Sequence, residues 1–272
     1  MENEIIILAL ALIATGAFAG LVAGLFGIGG GVVMVPALYF AFGLLGYGDG
    51  PRMHVAVGTS LAVIVATSLR SVSAHAKKDA VDYQILRTWT PWIVVGTLIG
   101  AGIADLAPGR ILTAVFGAMA LLLSVQFVFG KPGWRLSDAM PTGVLRAGLG
   151  SLIGFLSALM GIGGGVFGVT LMTLSGKSIH KAVATAAGLG VAIGLPGALG
   201  FIAWGWGEPG LPPFSLGYVN MLGFAVLAAS AFFVAPVGAK LAHALPADIL
   251  RRLFAFGLVA VAFSLLREAI LG

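Results

Sequence analysis

The chain has 272 residues, 59% hydrophobic and 9% charged, with a net charge of +5 and a mean hydropathy of +1.08. A soluble domain carries about 25% charged residues, so this chain lacks the polar surface that water demands, and its solvent is lipid. The absence of cysteine excludes disulfides and thiol chemistry. Four scattered histidines and ten acids form no metal-ligand pattern, and the basic residues sit in short loops between apolar runs, so neither a cofactor nor a nucleic-acid partner is expected.

Spanning about 30 Å of hydrocarbon takes roughly 20 apolar residues in a helix. In chain order the long candidates are Ile5–Gly24, Val55–Ala74, Leu86–Leu106, Ile111–Gly130, Gly143–Met160, Val183–Trp204, Leu216–Leu241 and Ile249–Leu271. Two shorter apolar stretches, Val32–Leu45 and Val166–Leu174, each follow a glycine run. Met1–Glu4 lacks the positive n-region of a secretory signal, so the first segment is expected to be retained.

The chain repeats itself. Gly20–Val32 returns as Gly154–Val166 at an offset of 134, His54–Thr59 as His180–Thr185 at 126, and Gly100–Leu112 as Gly238–Leu250 at 138. Three matched blocks in one order predict two repeats, residues 1–136 and 137–272. Each holds a glycine-broken helix pair and three full helices, so the fold class is an all-α integral membrane protein. Five segments per repeat point the halves oppositely. If Lys77 and Lys78 are cytoplasmic, alternation puts twelve of the fifteen basic residues on that side, with Arg52, Arg110 and Arg267 opposite. That bias predicts a cytoplasmic-membrane protein with both termini outside.

Gly27-Ile-Gly-Gly-Gly31 and Gly161-Ile-Gly-Gly-Gly165 each separate a long apolar helix from a short one. Broken backbone at membrane depth is tolerated where it is buried in protein or lines a wet cavity. The short helix after each break points its first amides into the break. Two such ends converging near the midplane make an anion site without an obligatory charged side chain, the broken-helix pattern of secondary transporters. Candidate lining residues are therefore Gly27, Gly29, Gly30, Gly31, Gly161, Gly163, Gly164 and Gly165. By contrast, Gly16/Gly20/Gly24, Gly96/Gly100, Gly150/Gly154 and Gly190/Gly194 are spaced for helix crossing. A dinucleotide loop is excluded, since neither run follows a strand.

Among side chains, Thr59, its repeat mate Thr185, and Ser60 offer hydroxyls to an anion, against the alternative of interhelical packing. Arg70 lies in an apolar helix and would give an oxyanion a bidentate fork, or would snorkel to the headgroups. His54 and His180 are repeat mates at opposite faces, interfacial residues or gating groups. Asp105, Glu208 and Asp248 fall at helix ends or loops. Trp89, Trp92, Trp204 and Trp206 read as an interfacial belt.

The doubled Gly-x-Gly-Gly-Gly, with Pro36 after the first copy and Ala-Val-Gly-Thr-Ser at Ala56–Ser60, resembles the sulfite exporter TauE/SafE family over nearly the whole chain. The resemblance implies a transporter of sulfur-containing or carboxylated anions, driven by a coupling ion such as H+ or Na+. The second repeat departs from the pattern, with Thr170 at the position of Pro36 and Ala184 and Ala186 at those of Gly58 and Ser60. An anion channel and a carboxylate transporter are the alternative functions. No nucleophile–base pair or carboxylate dyad suggests an enzyme.

Overall fold

The computed structural model describes residues 10, 13–21, 30–77, 79–129, 135–244 and 247–271. Helix α1 is described over residues 13–21. It is followed by α2 (Gly31–Leu44), α3 (Asp49–Ala76), α4 (Tyr83–Leu106), α5 (Gly109–Phe129), α6 (Gly143–Met160) and α7 (Gly165–Leu174). After α8 (Ile179–Trp204) come a two-residue hairpin, β1 (Ser215–Leu216) and β2 (Val219–Asn220), then α9 (Met221–Ala244) and α10 (Ala247–Leu271). The hairpin pairs Ser215 with Asn220 and Leu216 with Val219. Gly27 and Gly29 lie outside the described residues.

Five described helices, α3 to α6 and α8, carry stretches long and apolar enough to cross a membrane. The glycine-preceded helices are short, as expected. At 1.5 Å per residue, the 14 residues of α2 and the 10 of α7 reach about 21 and about 15 Å, less than a bilayer core. Helices α3 and α8 begin earlier than their apolar runs suggest, because their first turns are polar. Ser178 caps α8 by accepting the amide of Lys181. Helix α9 begins at Met221 instead of Leu216, because the hairpin takes up the preceding residues.

Small residues set the packing. Helix α4 packs chiefly on α6, α5 on α10 and α3 on α8. A Cβ on Gly96 would overlap the carbonyl of Ser151, and one on Gly154 the carbonyl of Ile93. Gly16 and Gly20 lie against Ser230 and Ala231 of α9, where an added Cβ would come to 2.8 and 2.6 Å. These contacts correspond: Gly20 and Gly154 are related by 134, and Ala231 and Ile93 by 138, the offsets of the sequence blocks. In the centre, Gly190 meets Ser68 and Ile64, whereas Gly194 meets Leu61 and Val65. Rising numbers on α8 meet falling numbers on α3, so these mates run antiparallel.

Trp89 corrects the belt reading. It is 2% exposed, beneath Gly150 of α6, whereas Trp92, Trp204 and Trp206 are exposed. A glycine on the facing helix makes room for the indole in the core.

Candidate functional site

The second break begins where Gly161 ends α6 with φ +61, a left-handed conformation that glycine adopts without penalty. The amide of Ile162 then reaches back to Ser157 O at 3.1 Å and that of Gly161 to Ala158 O at 3.3 Å, closing the helix end. Three residues on, α7 starts at Gly165. At the first glycine run Gly30, φ +71, starts α2, its carbonyl accepting from Val33 and Met34 at 3.0 and 3.1 Å. The first two amides of each helix, those of Gly31 and Val32 in α2, have no acceptor within their own helix.

The structure brings the start of α2 against the second break. Gly31 lies against the carbonyl of Gly161, so that a Cβ there would overlap it and sit 2.9 Å from Ile162 Cα. Ser60, fully buried on α3, donates its hydroxyl to the same carbonyl at 2.7 Å. Ile64, near the middle of the 28-residue α3, lies between the runs, 3.0 Å from a Cβ built on Gly31 and 3.2 Å from one on Gly163. Ile64 escapes sequence reasoning because an isoleucine in an apolar helix carries no signal. Its mate at offset 126 is Gly190, which lies beside Gly163. Gly164 packs on Leu189 and Ala186 of α8, and Gly161 to Val166 are all buried. Two surface clefts, around Ile99, Asp105 and Trp204 and around Tyr83, Arg87 and Pro91, do not include this junction.

Thr59 and Thr185 sit elsewhere in the centre, in matching roles. Thr59 Oγ1 accepts the amide of Asn220, the residue before α9, at 2.9 Å. Thr185 Oγ1 accepts the amide of Asp82, the residue before α4, at 2.9 Å. Asn220 and Asp82 each cap their own helix, through Gly223 N at 2.8 Å and Ile85 N at 3.1 Å, and they are mates at offset 138. Each threonine therefore anchors a helix start in the other half of the chain. Replacing either by valine leaves a buried amide unpaired, and an equal loss of about 1–3 kcal/mol is expected in thermal or denaturant unfolding for both variants.

Arg70 is not brought to the junction. It is exposed, with its guanidinium 3.8 Å above the ring of Phe232, a cation–π contact on the outer side of α9. His54 is 4% exposed. Its Nε2 lies 2.8 Å from Ala104 O and 3.1 Å from Ala107 O, fastening α3 to the end of α4. Its ring stacks on Tyr218 of the hairpin at 4.9 Å. Burial, then the carboxylates of Glu208 and Asp105, raise the Tyr218 hydroxyl above its ordinary range, so it stays protonated and donates to Asp105 at 3.2 Å. His180, the mate of His54, is exposed.

Arg52 is a residue whose burial the sequence did not reveal. It is 7% exposed, lies 4.0 Å over the Tyr39 ring and bonds Glu268 of α10 at 2.9 Å. Among the described residues no group of three or more His, Asp or Glu side chains could hold a metal.

Helices long and apolar enough to cross a membrane, packed through small residues, mark a multi-pass membrane protein. The chain belongs to the sulfite exporter TauE/SafE family, whose profile matches residues 12–265. It is 33% identical over 250 residues to a Haemophilus influenzae protein named "Probable membrane transporter protein", covering 92% of this chain and 95% of that one. A Methanocaldococcus jannaschii protein of the same description is 27% identical, with 89% of each chain covered. YunE of Bacillus subtilis, likewise described, is 31% identical over 60% of this chain and 66% of its own. No solved structure matches the chain.

Proposed function

We propose that the chain is a secondary transporter of a small sulfur-containing anion, a sulfonate, sulfite or a close relative, held where the two broken helices meet. The observation that carries this reading is the contact of Gly31, at the start of α2, with Gly161 and Ile162 of the other break. The start of α2 thus lies beside the turn that leads from α6 into α7; amides at a helix start attract an anion, and the surrounding burial strengthens that attraction. Glycine backbone offers donors without side chains that would fill the space. Ser60 donates to the Gly161 carbonyl, which satisfies one acceptor of the junction.

The halves are read as inverted repeats, and four observations support this. The α3 and α8 mates are antiparallel, and the α1–α9 and α6–α4 contacts correspond. The threonine anchors are exchanged between halves, and their offsets are those of the sequence blocks. In this reading the enclosed junction is an occluded state, and rocking of the halves opens it to each side in turn.

The test is a thermal-shift screen of purified protein with sulfite, sulfate, sulfoacetate, taurine and short carboxylates, followed by labelled counterflow in proteoliposomes. Stabilisation by a sulfur oxyanion with saturable counterflow is expected. Current without counterflow would assign a channel, stabilisation by carboxylates alone would change the substrate class, and no stabilisation by any anion would remove the site.

A further inference from the structure

We propose that two ion pairs at opposite ends of the molecule, Arg52–Glu268 and Asp82–Lys177, are the gates that close the pathway on either side of the glycine junction. The proposal rests on the transporter reading and adds to it the residues that control access. Arg52 lies in the first turns of α3, and Asp82 just beyond its last turn. At 1.5 Å per residue the end of α3 stands about 36 Å from Arg52 and Ile64 about 18 Å from it; Asp82, in the loop after α3, bonds through its amide to Thr185 of α8, level with the last turns of α3. One pair thus lies on each side of the junction.

Both pairs join the two halves of the chain. Arg52 bonds Glu268 at 2.9 Å, and Asp82 bonds Lys177 at 3.4 Å. Rocking one half against the other therefore cannot open an end without parting the pair at that end. The basic members occupy nearly equivalent places, because the repeat mate of Arg52 is Ser178, the neighbour of Lys177. The acids come from different elements, α10 and the loop before α4, so the two gates are distinct in chemistry though alike in position.

Each pair is also tied to the far end of a broken-helix element. Arg52 Nη2 donates to Tyr39 on α2, 2.5 Å away, and α2 begins at the junction with Gly31. Lys177 follows α7 by three residues, its amide bonding Met172 O at 3.0 Å, and α7 begins at the junction with Gly165. Each short helix thus has one end at the junction and the other at a gate. Parting a gate frees the helix whose start lines the anion site.

The pairs have a strength suited to cycling. In each, one partner is mostly buried and the other open to solvent: side-chain exposures are 9% for Arg52 and 41% for Glu268, 16% for Asp82 and 35% for Lys177. The exposed partner can be taken up by water, so the pair is weak enough to part. The buried partner stays held in place when it does, Arg52 by Tyr39 and Asp82 by the Ile85 amide, so the pair can re-form and the gate recloses.

The chain contains no cysteine, so one introduced thiol reports access without background. With Ile64→Cys as reporter, a membrane-impermeant maleimide is applied to full-length protein in right-side-out and in inverted vesicles. Low labelling from both faces is expected in the parent. Glu268→Gln should raise labelling about tenfold from the face carrying Arg52, and Lys177→Gln about tenfold from the opposite face. Both remove the exposed partner and leave the Tyr39 contact and the Asp82 helix cap in place. The charge exchange Arg52→Glu with Glu268→Arg should return labelling to the parental level if it reforms the pair. Labelling from the same face in both variants, from both faces in either, or unchanged in both would overturn the proposal. The measurement needs no anion, so gates found in a protein that binds none of the anions screened would leave this inference standing and remove the substrate reading.

Discussion

Replacing Gly163 by leucine should abolish anion uptake while the protein still folds and inserts. A Cβ at this position would sit 3.2 Å from Ile64 Cγ2 and 3.8 Å from Gly190 Cα. The nearest atom is the end of a side chain, which can yield by a few tenths of an ångström, so Gly163→Ala should be nearly neutral. Leucine adds three further carbons to a fully buried site, an overpacking cost of about 1–3 kcal/mol, and crowds Ile64 and Gly190 beside the second break. Truncation of the wedge supplies the control: Ile64→Ala in the Gly163→Leu background opens room on the same side and should restore part of the uptake. A glycine needed for folding alone would behave differently, with uptake and melting temperature falling together and recovering together. Gly31→Ala is the contrasting case. Its Cβ would overlap the carbonyl of Gly161, backbone that cannot move aside, so loss of fold is expected without rescue by Ile64→Ala. Labelled sulfite or sulfoacetate uptake in proteoliposomes, read beside thermal unfolding, separates these outcomes. Gly163→Leu transporting at the parental rate would take the junction off the pathway.

Much of this architecture was legible because lipid allows few solutions. Apolar runs gave α6 its limits, Gly143–Met160, and the glycine runs marked the starts of α2 and α7 to within a residue. The four-residue spacing of Gly96/Gly100 and Gly150/Gly154 marks α4 and α6 as crossing helices, and each of those glycines packs against the other helix. Contacts between distant polar residues were hidden. Arg52 looked like a loop residue because nothing in its neighbourhood announces Glu268, 216 positions away. Asp82 and Asn220 could have been matched through the offset of 138, but their capping roles lie in backbone amides that composition does not show. Leu216, Tyr218 and Val219 are apolar enough to predict a helix start, but the turn at Gly217, φ +54, makes residues 215–220 a hairpin. The threonines were read for their hydroxyl donors, whereas the structure uses their oxygens as acceptors.

The acidic end gate should also hold across neutral pH. Burial raises the Asp82 carboxyl, but the Ile85 amide, Lys177 and Lys181 outweigh it and hold the group below its ordinary value of 3.8. A lowered acid contributes above its unfolded value and loses that contribution as pH falls through the lowered one. The Asp82–Lys177 pair therefore parts by protonation only below about 3.8, so opening that end at neutral pH needs mechanical work from the rocking halves and not titration.

The largest structural loss is expected at the helix crossings, and it tests whether the two halves are built alike. A Cβ on Gly154 would overlap Ile93 O, and one on Gly20 would come within 2.6 Å of Ala231 Cα. Both neighbours are backbone, so valine at either position must push two helices apart, at about 3 kcal/mol or more. No hydrophobic drive between helices in lipid compensates for lost packing. Gly154→Val and Gly20→Val should therefore both lose the monodisperse species in detergent, and to the same extent, because the pairs are related by the repeat offsets. Gly148→Ala and Gly257→Ala, with nothing within 4 Å of the added carbon, should leave stability unchanged or raise it by up to about 1 kcal/mol through helix propensity. If Gly154→Val unfolds the protein and Gly20→Val does not, α1 is not held to α9 as α6 is held to α4. Correspondence between the halves would then fail where it matters for rocking, at the contacts that hold each half to the other.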